Sequence, residues 1–136
     1  MTIIVDSDGL IGSINPQDSH YIISQKILSK LIKNNSKLIY PATVIAESVT
    51  FLQGKFNNSV MAKEVLRLVT ENLINIEPVD GKTLRKANIF MNLQGSKHNT
   101  LFDCVVAAIA VENNADAIFS FDGFYKKNGF KLASEL

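Results

Sequence analysis

The chain has 136 residues, enough for one domain (1–136) with a sizeable core, and its 46% hydrophobic and 20% charged residues are an ordinary globular balance. No apolar run approaches the roughly 20 residues that span a bilayer, the start Met1-Thr2-Ile3-Ile4-Val5-Asp6 lacks the positive region of a secretory signal, and a lone cysteine forms no internal disulfide, so a cytoplasmic setting is expected. A net charge of +1 excludes a strong overall field for nucleic acid, and any such binding must use local patches.

Ile3 to Val5 reads as a short buried strand, a continuous apolar run stopped by Asp6-Ser7-Asp8-Gly9. After a loop at Asn15-Pro16, Asp18 or Ser19 is suited to cap a helix whose Ile23, Ile27 and Leu31 recur on one face. Asn34-Asn35-Ser36 ends it. Leu38 to Tyr40 is the second strand, and Pro41 suits the first turn of a helix running to about Gln53. Ser59 is a plausible cap for a helix through Leu73, and Ile74 to Ile76 is the third strand. Asp80 can cap a helix carrying Leu84, Ala87 and Met91 that stops at Gly95. A further helix spans about Asn99 to Asn113, Ala117 to Phe121 is the fourth strand, and Phe130 to Leu132 a short fifth. Apolar strands alternating with helices, without hairpin dipeptides, predict an α/β fold with a parallel sheet covered on both faces.

Four carboxylates sit beside apolar segments, where desolvation is costly without a compensating positive charge. Asp6 ends the first strand, Asp122 ends the fourth, Glu47 lies near the second turn of the helix after strand two, and Asp103 starts the apolar helix at Leu101. In open α/β sheets ligands bind beyond the carboxyl ends of the strands, where the strand order reverses. Asp6, Asp122 and Glu47 reach that edge readily. Were the helix from Asp80 to Leu93 to pack antiparallel to the next one, Asp103 would start at the far edge; it reaches the site only if that helix lies crosswise. An oxygen-only cluster suits Mg²⁺ or Mn²⁺ rather than zinc, since His20, His98 and Cys104 have no ligand spacing. Such an ion would relieve the repulsion among the acids and support hydrolysis of a phosphodiester.

Each acid also has a plain structural reading. Asp6 can close a strand or cap a short helix, Glu47 can sit at the edge of the core, Asp103 can complement a helix dipole, and Asp122 can form a turn in Asp122-Gly123. Asp116 precedes its strand, at the opposite edge, and reads as a loop residue. Lys82, Arg85 and Lys86, with Lys97 beyond them, share a helix face that reads as solvated. Lys126 and Lys127, with Lys131, lie nearer the acids and are candidates for holding substrate.

Taken in order, the strand ending at Asp6, the segment Pro41-Ala-Thr-Val-Ile-Ala-Glu47, Phe102-Asp103 before an Ala-rich helix, and Ala115-Asp-Ala-Ile-Phe-Ser-Phe-Asp122-Gly-Phe124 resemble the PIN-domain nucleases. The likeness is greatest to the small VapC-type toxin ribonucleases and covers essentially the whole chain. It implies a five-stranded parallel sheet in the order 3-2-1-4-5 between helical layers. It implies that Asp6, Glu47, Asp103 and Asp122 hold Mg²⁺ or Mn²⁺, with Ser120 as the supporting hydroxyl two positions before the last acid. It also implies an RNA substrate, a small antitoxin partner and a homodimer. The chain departs from the family pattern at Asp8, where Ser, Thr or Asn is usual, so an extra carboxylate either joins the metal shell or adds repulsion.

Two other readings remain open from the residues alone. Asp6-Ser7-Asp8-Gly9 after an apolar strand resembles the first motif of haloacid-dehalogenase-type phosphatases, with one Asp as nucleophile and the other as acid/base. Alternatively, the acids are structural and the domain is a non-catalytic protein-binding module.

Overall fold

The computed structural model describes residues 1–92 and 98–136. β1 (Thr2–Val5) leads through α1 (Ser7–Ile14) and α2 (Tyr21–Lys33) to β2 (Lys37–Pro41). α3 (Ala42–Gln53) and α4 (Ser59–Thr70) lead to β3 (Asn75–Glu77), followed by α5 (Gly81–Ala87) and a 3₁₀ turn over Asn88–Phe90. α6 (Leu101–Glu112) precedes β4 (Ala117–Phe119), then α7 (Gly123–Lys127) and a last 3₁₀ turn over Ala133–Glu135. No helix among the described residues is long and apolar enough to cross a membrane.

The strands form a parallel sheet in the order β3-β2-β1-β4, with Ile3 opposite both Leu38 and Ala117. Successive residues of β1 point to opposite faces, and Ile3, Ile4 and Val5 are all at most 1% exposed, so both faces of the sheet are covered. The chain reverses direction across the sheet between β1 and β4. The crevice at their carboxyl ends is therefore the point where such folds place ligands.

The expected fifth strand is not formed. Residues 130–132 give one isolated parallel bridge, Leu132 to Ile118, supported by the Ile118 N–H donating to the Lys131 carbonyl at 2.9 Å. The segment arrives from α7 through Gly129, whose φ of 87° turns the chain sharply, and it enters its last 3₁₀ turn immediately after the bridge. It has no length left for a ladder.

Two short helices begin at the strand-ending acids, as the cap reading of Asp6 allowed, while Asp122 opens a helix rather than a simple turn. Asp6 caps α1, accepting from the Ser7 N–H at 2.7 Å, and Asp122 caps α7, accepting from the Phe124 N–H at 2.8 Å. Before α2, Asp18 accepts from the His20 N–H at 2.8 Å instead of capping the helix, and Asn58 rather than Ser59 caps α4. α5 does start at its Asp80 cap but gives way to the 3₁₀ turn after Ala87; the stop expected at Gly95 lies outside the described residues. The last turns of α5 and α6 lie side by side, with Lys86 Nζ 3.0 Å from Glu112 Oε1, so the two do not form the antiparallel hairpin that would have carried Asp103 to the far edge. Because α6 feeds directly into β4, its start lies at the carboxyl edge of the sheet.

Candidate active site at the carboxyl edge of the sheet

Asp6, Glu47, Asp103 and Asp122 come from four segments and meet at this edge. Asp6 is 4% exposed, and the other three are half-buried. Asp6 lies at the end of β1, its N–H donating to the Phe119 carbonyl at 3.1 Å and so extending the β1–β4 pairing. Its Oδ2 accepts from the hydroxyl of buried Tyr125 at 2.8 Å and lies 3.1 Å from Ser120 Oγ. Asp103 Oδ2 accepts from the Thr100 N–H at 2.8 Å, closing a capping box that fixes the start of α6. The plain helix-start reading of Asp103 is therefore correct as far as it goes, but its surroundings go further. Asp122 is held on both oxygens, by the Phe124 N–H and by Asn99 Nδ2 at 2.9 Å.

Asp8 folds back onto the end of β4. Its Oδ2 accepts from the Phe121 N–H at 2.8 Å and lies 3.1 Å from Ser120 Oγ. The Ser120 hydroxyl also accepts from the Asp122 N–H at 3.1 Å, so it joins three acids. It has one proton to give, however, and two carboxylates compete for it. The phosphatase reading needs Asp8 to face a substrate as acid/base, whereas this Asp8 is turned inward to brace β4.

Burial raises the proton affinity of Asp6, Asp8, Glu47 and Asp103. The Asp6 carboxyl is pushed well above the usual range, first by desolvation and then by the Asp8 charge; Asp103 adds to this, while the Ser7 N–H and Tyr125 hydroxyl oppose it. Asp8 is raised by desolvation, with the Phe121 N–H and Ser120 opposing. Glu47 is raised by desolvation and then by the charges of Asp103 and Asp8, against the nearby Ser7 hydroxyl. Asp103 is raised by desolvation and by Asp122, against the Thr100 N–H. Burial and the facing acids also lift the Tyr125 hydroxyl well above its ordinary value, which keeps it a hydrogen-bond donor.

These shifts set a pH dependence. A carboxyl whose folded pKa is raised keeps its proton in the folded chain after the unfolded chain has lost it. Stability is then highest below the raised values and falls as pH climbs from about 4 through them. The lowered values of Glu64, Asp80 and Glu135 act in the opposite sense, but these groups lie at the surface and solvent screens them. Metal-free protein is therefore expected to melt at a higher temperature near pH 5 than near pH 7.5, and Mn²⁺ at the higher pH is expected to close the gap. A melting temperature that rises from pH 5 to 7.5 in EDTA would contradict the mutual strain of the acids.

The donor chemistry fits a hard divalent cation. Every candidate ligand is a carboxylate oxygen, the acids repel one another, and Asp8 Oδ1 is buried without a hydrogen-bond partner. No three His, Cys, Asp or Glu side chains among the described residues already stand as a coordination shell, so the acids form a loose cluster rather than a closed cage.

The basic candidates divide. Lys126 Nζ is 2.8 Å from Glu135 Oε1 and is committed to that pair, whereas Lys127 and Lys131 are exposed. Lys82 and Arg85 are exposed as a solvated face requires, and Lys97 lies outside the described residues. Asp116 accepts from the Thr2 N–H at 2.7 Å at the amino edge, which makes it structural. Sequence reasoning missed Tyr125 and Asn99 as partners of the acids. An Asp before a short segment ending Lys126-Lys127 was a readable cap signal for α7, but the contact from Tyr125 to Asp6 was not readable.

Comparison with known proteins agrees with this architecture. A family model described as the PIN domain matches residues 3–131. A VapC ribonuclease of Aquifex aeolicus is 23% identical over 133 residues, covering 96% of this chain and 95% of that one. The structure of Mycobacterium tuberculosis VapC20, described as a sarcin–ricin loop cleaving toxin, superposes with a TM-score of 0.81 at 15% identity, over 94% of this chain and 95% of the other. FitAcB from Neisseria gonorrhoeae gives a TM-score of 0.61 at 20% identity and covers 98% of each chain. Rickettsia felis VapBC2, bound to a DNA fragment from its promoter, gives 0.63 at 16% identity over 94% and 92%. At these identities the solved structures speak for the fold.

Proposed function

The chain belongs to the PIN-domain family, and from that premise we propose that it is a VapC-type ribonuclease, the toxin of a type II toxin–antitoxin pair, that hydrolyses RNA phosphodiester bonds with Mg²⁺ or Mn²⁺. The observation that carries this reading is the meeting of Asp6, Glu47, Asp103 and Asp122 at the switch between β1 and β4. These four would hold the ion. When bound, such an ion offsets negative charge gathering on a phosphate and makes water a stronger nucleophile near neutral pH.

The chain's own groups have separable tasks. Tyr125 and the Ser7 N–H fix the Asp6 carboxylate, the Thr100 N–H fixes Asp103, and Asn99 with the Phe124 N–H fixes Asp122, so three acids are aimed before substrate arrives. Ser120 supports Asp6 and Asp8 from beneath. Glu47 reaches in from α3 and meets the Ser7 hydroxyl. Lys127 is an exposed cation on the α7 side for the RNA backbone, and Lys126 serves there only if it leaves Glu135.

A small antitoxin, a homodimer and a cytoplasmic setting belong to the same proposal. A panel of structured and unstructured RNAs, incubated with Mn²⁺, Mg²⁺ or EDTA, tests the core of it. Cleavage with either ion and none in EDTA is expected. Intact RNA throughout, with no metal binding by calorimetry, removes the ribonuclease reading and leaves a PIN-like binding module.

A further inference from the structure

We infer that Phe51 is a substrate-positioning residue that parts two consecutive unpaired bases of the RNA, one on each side of its ring; this rests on the ribonuclease reading and extends it. Of the chain's eight phenylalanines, only Phe51, Phe56 and Phe102 are exposed, at 40%, 43% and 44%. Single exposed apolar residues need no explanation, but these three cluster around the acids. Phe51 follows Glu47 by one helical turn on α3 and so lies on the same face. Phe102 is next to Asp103.

Two clefts meet at Phe51. One, of about 150 Å³, runs between Phe51 and Phe56, with Ser7 and Asp8 on its inner wall and Lys55 at its rim. The other, of about 290 Å³, runs between Phe51 and Phe102 and reaches Glu47 and Thr100. Each is therefore lined by two phenylalanines together with residues of the acidic site. A cavity of about 150 Å³ admits a six-membered aromatic ring. Unpaired bases are recognised by stacking on aromatic side chains, whereas a duplex keeps its bases stacked on each other. A strand crossing the acids with one base in each cleft places the intervening phosphate beside Glu47. Lys55, whose Nζ lies 6.0 Å from the centre of the Phe56 ring, supplies a cation for the next phosphate.

Stacking predicts which substitutions matter. Phe51→Ala is expected to raise KM for an unstructured RNA decamer about tenfold; because the residue is only 40% exposed, some fall in melting temperature accompanies it, and KM is measured well below the transition. Phe51→Tyr restores KM. Phe51→Leu keeps apolar bulk but not the ring, and should remain as weak as Phe51→Ala. A binding measurement that needs no cleavage runs beside this, by fluorescence anisotropy of the same decamer on the Asp103→Asn protein with and without Phe51→Ala. Unchanged KM and affinity in Phe51→Ala, or full recovery in Phe51→Leu, overturns the inference. So does a Phe51→Ala effect seen only on association with a protein partner. If the wild-type chain cleaves no RNA yet the anisotropy shows the loss on Phe51→Ala, the catalytic reading fails and the stacking site stands. No affinity for RNA in either protein overturns both.

Discussion

Asp6→Asn is expected to abolish metal-dependent RNA cleavage, by about 100- to 1,000-fold or more, and at the same time to raise the melting temperature of the metal-free protein at pH 7. The two effects share one cause. Asp6 is 4% exposed and faces Asp8 and Asp103, so its ionised form is costly to keep in the folded chain. Asparagine has nearly the same shape. Its carbonyl oxygen can accept from the Ser7 N–H, and its amide can donate to Tyr125 or Ser120, both of which accept as well as donate. The fold therefore loses a strained charge and keeps its hydrogen bonds. A bound cation would lose the most deeply buried of its proposed ligands. Saturating Mn²⁺ should reverse the order of melting temperatures, because a ligand that binds only the folded state stabilises it by an amount that grows with the logarithm of its concentration over Kd. Asp103→Asn should follow the same pattern with a smaller thermal shift, since Asp103 is half-buried and its capping oxygen survives the change. Cleavage retained in both variants, with circular dichroism unchanged, removes the site.

How much of this was legible without coordinates depends on how local the signal was. Ile3-Ile4-Val5 followed by an acid is a complete local statement, a strand buried on both faces and the place where it ends. Glu47 on the helix after Pro41 is likewise given by position alone. Asp103 was the least secure of the four, because its edge depends on how α5 meets α6, and residue periodicity does not encode that packing. What resolved it was the short α5, which breaks into a 3₁₀ turn after Ala87 and lies beside the last turn of α6. The fifth strand failed for the converse reason. An apolar triplet marks burial, and Leu132 is indeed buried, but a ladder needs successive paired residues, and the chain enters its last 3₁₀ turn directly after the one bridge. Tyr125 was invisible because its role is a single contact spanning 119 residues, from a five-residue helix to the end of the first strand. Asp8 could be seen as a departure from the family pattern, yet its inward turn onto Phe121 belongs to tertiary packing.

That inward turn requires a close approach, which gives the second large expectation: Gly9→Ala should destabilise the protein by about 1–3 kcal/mol or more and impair cleavage even at temperatures where it stays folded. Helix propensity argues the other way, since alanine in place of glycine inside a helix is worth about 0.5–1 kcal/mol. The steric effect is larger. A Cβ on Gly9 would stand 2.3 Å from the Phe119 carbonyl oxygen and 3.1 Å from its carbon, and this is backbone that cannot rotate away. Phe119 is also the residue whose carbonyl accepts from the Asp6 N–H, so α1 can only relieve the clash by moving off the end of β4. That movement would stretch the Asp8 bonds to Phe121 and Ser120 and separate Asp6 from Asp122. Gly123→Ala is the matching control, because nothing lies within 4 Å of its added methyl group and it opens α7. Thermal unfolding of the two variants, with cleavage measured well below the lower transition, separates the effects. Gly9→Ala melting with the wild type would show that α1 and β4 do not need this contact. Gly9→Ala melting several degrees lower but cleaving normally would show instead that the spacing of the acids is set from elsewhere, leaving Tyr125 as the group that holds Asp6 in place.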